Sequence, residues 1–292
     1  MSCLDAGGRA FWQLVALAVT ALSAFALIAD FLPTALTLWL GGTAAAPPGA
    51  LLAVTALTCV ACAVLATAVR ALRRTSRATR RLHRDLRAGS VDAPALLTEV
   101  AAEAGVRRIR LVADPRPWAL TYGVRRPRVA VSTGLVEALT RDELAAVLAH
   151  EQSHVECRDP LRVLLSSALT LPGFLVPALP ALRHRFVVGR ELAADRRAIA
   201  RYGTRALAGA LLKAVEVPHA CAAGAAAMAE PSALGARLTQ LESGTQEGLP
   251  AVGGPRVALS LLALVVLGAA AAATSGFMHE LCAQAALAIF HR

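Results

Sequence analysis

Apolar positions fall into two regimes along this chain: long uninterrupted runs near both ends, and periodic apolar-polar patterning between them. The first run, Ala10 to about Ile28, reaches the roughly 20 residues needed to cross a bilayer, and a second follows from Ala50 to about Val69. Together they predict a membrane hairpin over residues 1–72. An uncleaved first span is preferred to a signal peptide, because only Asp5 and Arg9 carry charge ahead of it and a second span follows closely. A third run, Val257 to about Thr274, predicts a final span within 256–292, ending in a short tail.

Residues 73–255 read differently. Asp92 and Pro94 open an amphipathic stretch that runs to Ala104 and stops at Gly105, predicting a short helix. Three strand-like pieces follow, Arg108 to Val112, Trp118 to Tyr122 and Arg128 to Ser132, divided by Asp114-Pro115, Gly123 and Pro127. They predict a small sheet. Thr140 and Glu143 form a capping-box pattern opening a helix from Arg141 to about Cys157, which Asp159-Pro160 ends. Further helices are expected from Arg190 to Tyr202, stopped by Gly203, and from Arg205 to about Val215. Residues 218–255 show little periodicity and read as a linker or flap, partly helical at best. The fold class is therefore α+β: a multi-pass α-helical membrane protein whose mostly helical middle domain carries a small β-sheet.

Composition agrees with membrane residence, since 56% of the 292 residues are hydrophobic and mean hydropathy is +0.55, too apolar for an ordinary soluble enzyme. Net charge is +10, nearly all from arginine. Eight arginines lie between Arg70 and Arg87, directly after an apolar run, whereas 30–48 has no Lys or Arg. That asymmetry reads as positive-inside topology rather than a nucleic-acid patch, and puts residue 70 onward in the cytosol. The six cysteines form no framework, and Cys59 and Cys62 read as small packing residues within an apolar segment.

The segment His150-Glu151-Gln152-Ser153-His154 carries the HExxH pattern. Residues four apart share a helix face, so His150 and His154 can both direct a ring nitrogen at one zinc ion. Glu151 is placed to act as general base toward the attacking water and then to carry the proton to the leaving amine. The preceding apolar stretch, Leu144 to Ala149, predicts a buried helix around this pair. A third ligand is still required, and Glu191, 37 residues beyond His154, is the choice, with Asp195 one turn later positioned to hold a histidine N–H. The alternative is a surface charge ladder of Glu191 and Asp195 with Arg190, Arg196 and Arg197.

HExxH followed by the Glu191-Leu192-Ala193-Ala194-Asp195 segment resembles the gluzincin membrane peptidases, both the HtpX/Ste24-like (M48) family and the BlaR1/MecR1-type antirepressor (M56-like) family. The stretches Tyr122 to Leu135, Glu143 to Glu151 and His154 to Leu161, the last with its Arg158-Asp159-Pro160, are similar to the BlaR1/MecR1 type. Covering about residues 70–205, the resemblance implies a zinc endopeptidase with one Zn2+ held by His150, His154 and Glu191, and Glu151 as catalytic base. The chain ends some 18 residues past Thr274, so the penicillin-binding domain of the antibiotic sensors is not expected. In similar enzymes an edge strand pairs with the substrate, which makes Trp118 and Tyr122 substrate-binding candidates, with an ordinary sheet strand as the alternative. The oxyanion stabiliser stays open among Tyr122, His184 and Tyr202.

One conflict bears on topology. If the run Leu161 to Leu182 crossed the membrane once, His150 and Glu191 would lie on opposite sides. A re-entrant or interfacial hairpin over 161–182, turning at Pro172-Gly173, resolves it, since each half is about 15 Å of helix against a hydrocarbon core of roughly 30 Å. The expected protein is a multi-pass enzyme of the cytoplasmic membrane, its active site facing the cytosol. It would cleave a protein substrate such as a transcriptional repressor and bind no nucleic acid directly. Quality control of membrane proteins and a non-catalytic signalling scaffold are the alternatives.

Overall fold

The computed structural model describes residues 5–40, 48–170, 173, 176–215, 231–244 and 249–290. The chain divides into two units: residues 1–12, 72–168 and 182–251 in the first, residues 13–71, 169–181 and 252–292 in the second.

The first unit contains the sheet. Strands β1 (Ser90–Val91), β2 (Ile109–Val112), β3 (Ala119–Tyr122) and β4 (Arg128–Ser132) lie in the order β1-β2-β4-β3. β2 runs parallel to β4, with Ile109 opposite Val129, while β1 and β3 pair antiparallel to their neighbours. The three strands expected from the sequence are present to within a residue; the two-residue β1, too short to show a period, was not expected. β3 sits at an edge of the sheet.

Alternation on β4 decides what covers each face. Val129 and Val131 turn toward a core built with Leu97 and Val100 of α3 (Ala95–Ala104) and Leu144 and Leu148 of α5 (Arg141–Glu156), all essentially inaccessible to solvent. Burying each such side chain contributes about 1.5–3 kcal/mol. Ala130, Val112 and Tyr122 turn the other way, onto Leu82 and Leu86 near the end of α2 (Pro48–Ala88). Gly105 ends α3 in the left-handed region (φ 83°), the stop expected of it. The capping box of α5 is complete: Thr140 accepts from the Glu143 N–H, and the Glu143 carboxylate accepts from the Thr140 N–H at 2.8 Å. Between β4 and α5 lies α4 (Thr133–Ala138), capped by Ser132.

After α5 come α6 (Asp159–Leu169), α7 (Ala178–Tyr202), α8 (Thr204–Val215) and α9 (Pro231–Ser243). α7 begins twelve residues before the expected start at Arg190, because Pro177 and Pro180 fall at its opening, where a proline interrupts no hydrogen bond. The apolar run 161–182 does not form one continuous helix, since α6 ends at Leu169 and α7 starts at Ala178. Pro172 lies outside the described residues. Residues 218–255, expected to be largely irregular, contain the regular helix α9; 216–230 and 245–248 lie outside the described residues.

Three long helices account for the terminal runs. α1 (Ala6–Leu40) continues well past Ile28, and α2 continues without a break from its apolar half through all eight arginines to Ala88. α10 (Gly254–Phe290) carries helix through the region read as a tail. Among the described residues, one segment is long and apolar enough to cross a membrane, Gly254–Ala272, with mean hydropathy 2.0. Within the first unit the start of α1 crosses α7 where two glycines meet: a Cβ on Gly189 would lie 2.6 Å from the Gly7 Cα. Cys59 and Cys62 are free and exposed, and Cys157 is disulfide-bonded.

Candidate active site

α5 and α7 build the site. On α5, His150 and His154 lie one turn apart with their rings edge-on and their Nε2 atoms 3.1 Å from each other. From α7, Glu191 brings Oε2 to 3.3 Å from His150 Nε2 and Oε1 to 3.7 Å from His154 Nε2. The three residues are buried and each offers a ligand atom within 4.8 Å of the others. The far nitrogen of each imidazole faces a carboxylate: His150 Nδ1 lies 2.7 Å from Asp195 Oδ1, and His154 Nδ1 lies 2.6 Å from Asp159 Oδ2.

This donor set fits a divalent cation. His154 Nδ1 is hydrogen-bonded to Asp159, while His150 Nδ1 lies close to Asp195 without hydrogen-bond alignment; with a cation bound, both Nε2 atoms would present lone pairs toward it beside the Glu191 carboxylate, an arrangement that a shared positive charge stabilises. Two imidazoles and one carboxylate match the ligand type of catalytic zinc.

Glu151 is equally placed by the fold. The Thr121 hydroxyl donates toward Glu151 Oε2 at 2.7 Å, with the Glu151 carbonyl at 3.0 Å, so strand β3 pins the carboxylate beside the histidine pair. Thr121 and Glu151 are both buried.

Around these groups runs a charged network on α7 and α9. Arg190 Nη2 sits 2.9 Å from Glu191 Oε1. Arg237 of α9 donates two bonds to the fully buried Asp195, from Nε at 2.7 Å and Nη2 at 2.8 Å, and its Nη1 comes within 3.9 Å of Glu191 Oε2. One turn on, Gln240 Nε2 donates to the Leu192 carbonyl at 3.1 Å. Burial opposes the charged forms of Glu191 and Asp195. Arg190 and the two imidazoles nevertheless hold Glu191 well below the usual carboxylate range, and Arg237 and His150 hold Asp195 low. Burial likewise opposes the imidazolium of His150, but Asp195 outweighs it and the group is raised to about 9.

The surface-ladder alternative is overturned. Glu191 and Asp195 point into the protein, while Arg196 pairs with Asp5 and Arg197 reaches Ser153 and Glu156. Arg190 alone of that ladder meets Glu191. Trp118 is tied by its indole N–H to Asp114 at 3.0 Å, and the Tyr122 side chain lies on the sheet face away from Glu151, in ring contact with His83. That orientation takes the Tyr122 hydroxyl away from the histidine pair. Tyr202 packs beside the α3–α5 core with Arg201 over its ring.

Sequence reading missed Thr121, Asp159 and Arg237. Asp159 was read as a helix stop, yet Arg158, at φ 52°, turns the chain so that the next residue folds back on His154. Arg237 had a readable signal: Ala233, Ala236, Arg237 and Gln240 are spaced i, i+3, i+4, i+7 and form the face that docks on α7.

A curated relative, the chloroplastic plastoglobule-localized metallopeptidase 48 of Arabidopsis thaliana, is 32% identical over 123 residues, 39% of this chain. The chain spans about a third, 35%, of that relative's length. No solved structure matches. The family model described as BlaR1 peptidase M56 matches residues 43–241, and the chain belongs to that family.

Proposed function

We propose that this protein is a membrane-bound, zinc-dependent endopeptidase that cleaves a protein substrate at the cytosolic face of the membrane. The observation that carries the reading is the convergence of His150, His154 and Glu191 with Glu151 held beside them by Thr121. One zinc ion per chain would be held by the two Nε2 atoms and the Glu191 carboxylate, and when bound it supplies a Lewis acid that polarises the scissile carbonyl and acidifies water.

The chain's own residues do the remainder. The Glu151 carboxylate takes a proton from the attacking water as the water oxygen adds to the carbonyl carbon. The same carboxyl returns that proton to the amine nitrogen as the C–N bond breaks. Thr121 restrains the carboxylate so that one oxygen stays turned to the reacting water. Asp159 fixes the tautomer and ring orientation of His154 through its hydrogen bond, and Asp195, close to His150 Nδ1, would do the same for His150 once the ring aligns on a bound cation. β3, hydrogen-bonded to a neighbouring strand on one side alone among the described residues, offers its backbone edge to an extended substrate.

Membrane residence rests on the family, on the exposed apolar surface of Gly254–Ala272 and on the apolar halves of α1 and α2. The break between α6 and α7 is consistent with a hairpin over 161–182 that keeps His150 and Glu191 on one side. Regulatory cleavage, for example of a repressor, follows the family's BlaR1 relationship.

The test is zinc stoichiometry of detergent-purified wild type, Glu191→Ala and Glu151→Gln, with hydrolysis of a generic peptide measured alongside. Near-stoichiometric zinc in wild type and Glu151→Gln, lost in Glu191→Ala, with hydrolysis in wild type alone, supports the assignment. Zinc retained in full by Glu191→Ala, or none in metal-replete wild type, overturns it.

A further inference from the structure

The C-terminal half of α2 contains eight arginines between Arg70 and Arg87, and one acid, Asp85. Arg73, Arg77, Arg80 and Arg84 recur at helical spacing, are all exposed, and with Arg81 form the wall of a cavity of about 950 Å³. The cavity reaches Tyr122 and Gly123, the end of edge strand β3. No ion pair joins these arginines to a carboxylate among the described residues. The neighbouring sheet face adds positive charge, since burial and then Arg87, Arg110 and Arg128 push the His83 imidazole below its ordinary value. Five guanidinium groups around one hollow repel one another unless an anion enters it.

Positive-inside topology accounts for the sign of this stretch; it does not account for the gathering of five of its arginines around one hollow at the end of β3. Within the first unit Arg84 lies eleven residues beyond Arg73, about 16 Å further along the helix at roughly 1.5 Å per residue. An anionic membrane surface is screened within about 8–10 Å at physiological salt. The five guanidinium groups are therefore spread over more than one screening length, which a single flat anionic surface would not serve together, and the hollow opens at Gly123, where a chain lying along β3 would leave the sheet.

We propose that this groove binds a Glu- or Asp-rich segment of a polypeptide, the part of the protein substrate that flanks the stretch paired with β3. The inference rests on the reading of the chain as an enzyme acting on proteins. It makes substrate choice a matter of charge beside the cleavage point, with guanidinium forks gripping successive carboxylates.

The test uses full-length Glu151→Gln in zwitterionic detergent, which cannot turn the probe over. The probe is a fluorescein-labelled Glu-rich dodecapeptide, compared with its Gln counterpart by anisotropy. The Glu peptide is expected to bind, with binding weakening as salt rises, and the Gln peptide is not. Adding Arg77→Ala, Arg80→Ala and Arg84→Ala together should weaken binding about tenfold or more. The three Lys replacements should largely restore it, and Ala at exposed Arg107, Arg108 and Arg205 should leave it unchanged. Equal binding by the groove and control triples overturns the proposal. So does loss of affinity for phosphatidylserine vesicles with peptide binding intact, which assigns the groove to lipid headgroups. Hydrolysis of an uncharged peptide by wild type is read separately, so failure of the enzymatic reading is told apart from failure of the groove.

Discussion

Arg237 is the residue on which the buried charges depend. Asp195 is wholly removed from water and faces His150 on one side and Arg237 on the other. Arg237→Ala leaves that carboxylate short of a partner, and breaking a buried pair in this way costs about 3–5 kcal/mol. The expected result is a lower Tm and weaker zinc retention against a chelator, with Arg237→Lys recovering part of both; unchanged retention in Arg237→Ala refutes the role. Asp114 makes a second residue-scale case. It accepts from the Arg116 backbone N–H, Nε and Nη2 and from the Trp118 indole, and the Arg116 side chain above all holds it below its ordinary 3.8. Because the folded value is the lower one, this contribution is present above about pH 4 and is lost as pH falls below it. Asp114→Asn should cost on the order of 1–2 kcal/mol near pH 7 and less in acid, which urea melts at both pH values would read.

At the scale of elements, the site is an agreement between two helices held in register by close packing. The Gly7–Gly189 contact leaves no room for a Cβ, and Glu191 is two residues away on the same helix. Gly189→Ala must therefore displace α1 or α7, at about 1–3 kcal/mol of overpacking. Its expected mark is a loss of zinc affinity larger than that of Gly235→Ala, since a Cβ at Gly235 meets nothing within 4 Å. Equal zinc affinity in the two variants would show that the crossing does not set the position of Glu191. α9 plays the complementary part, docking Ala233 and Ala236 on Val188 and Leu192 so that Arg237 arrives beside Asp195.

For the whole molecule the question is the bilayer. In Gly254–Ala272 the apolar side chains face outward, Val265 with 67% of its surface exposed, as a lipid-facing helix would present them. Val265→Arg places a charge at about the middle of that window, at about 2.5–3.5 kcal/mol on insertion scales. The variant should shift from the membrane to the soluble or aggregated fraction in carbonate extraction. Extraction identical to wild type would argue that α10 does not span.

His150, Glu151 and His154 stood out in the chain because helical spacing alone puts the two histidines on one face with an acid beside them, whereas Glu191, 37 residues beyond His154, was a choice among downstream acids until α7 brought it to 3.3 Å from His150. The capping box of α5, the Gly105 stop and the three main strands were legible for the same reason, as each depends on neighbours within a few residues. Thr121, Asp159 and Arg237 were not. Their importance lies in contacts with residues 30, 5 and 42 positions away, and those distances closed when the sheet edge, the left-handed turn at Arg158 and α9 were packed against α5 and α7. The arginine run was plain in the sequence as charge, but its shape as a groove at the end of β3 depended on α2 staying helical to Ala88 and lying on the sheet. Local spacing determined which groups could do chemistry; tertiary packing decided what holds them there, because buried charges are stabilised only by partners that the fold brings from elsewhere in the chain.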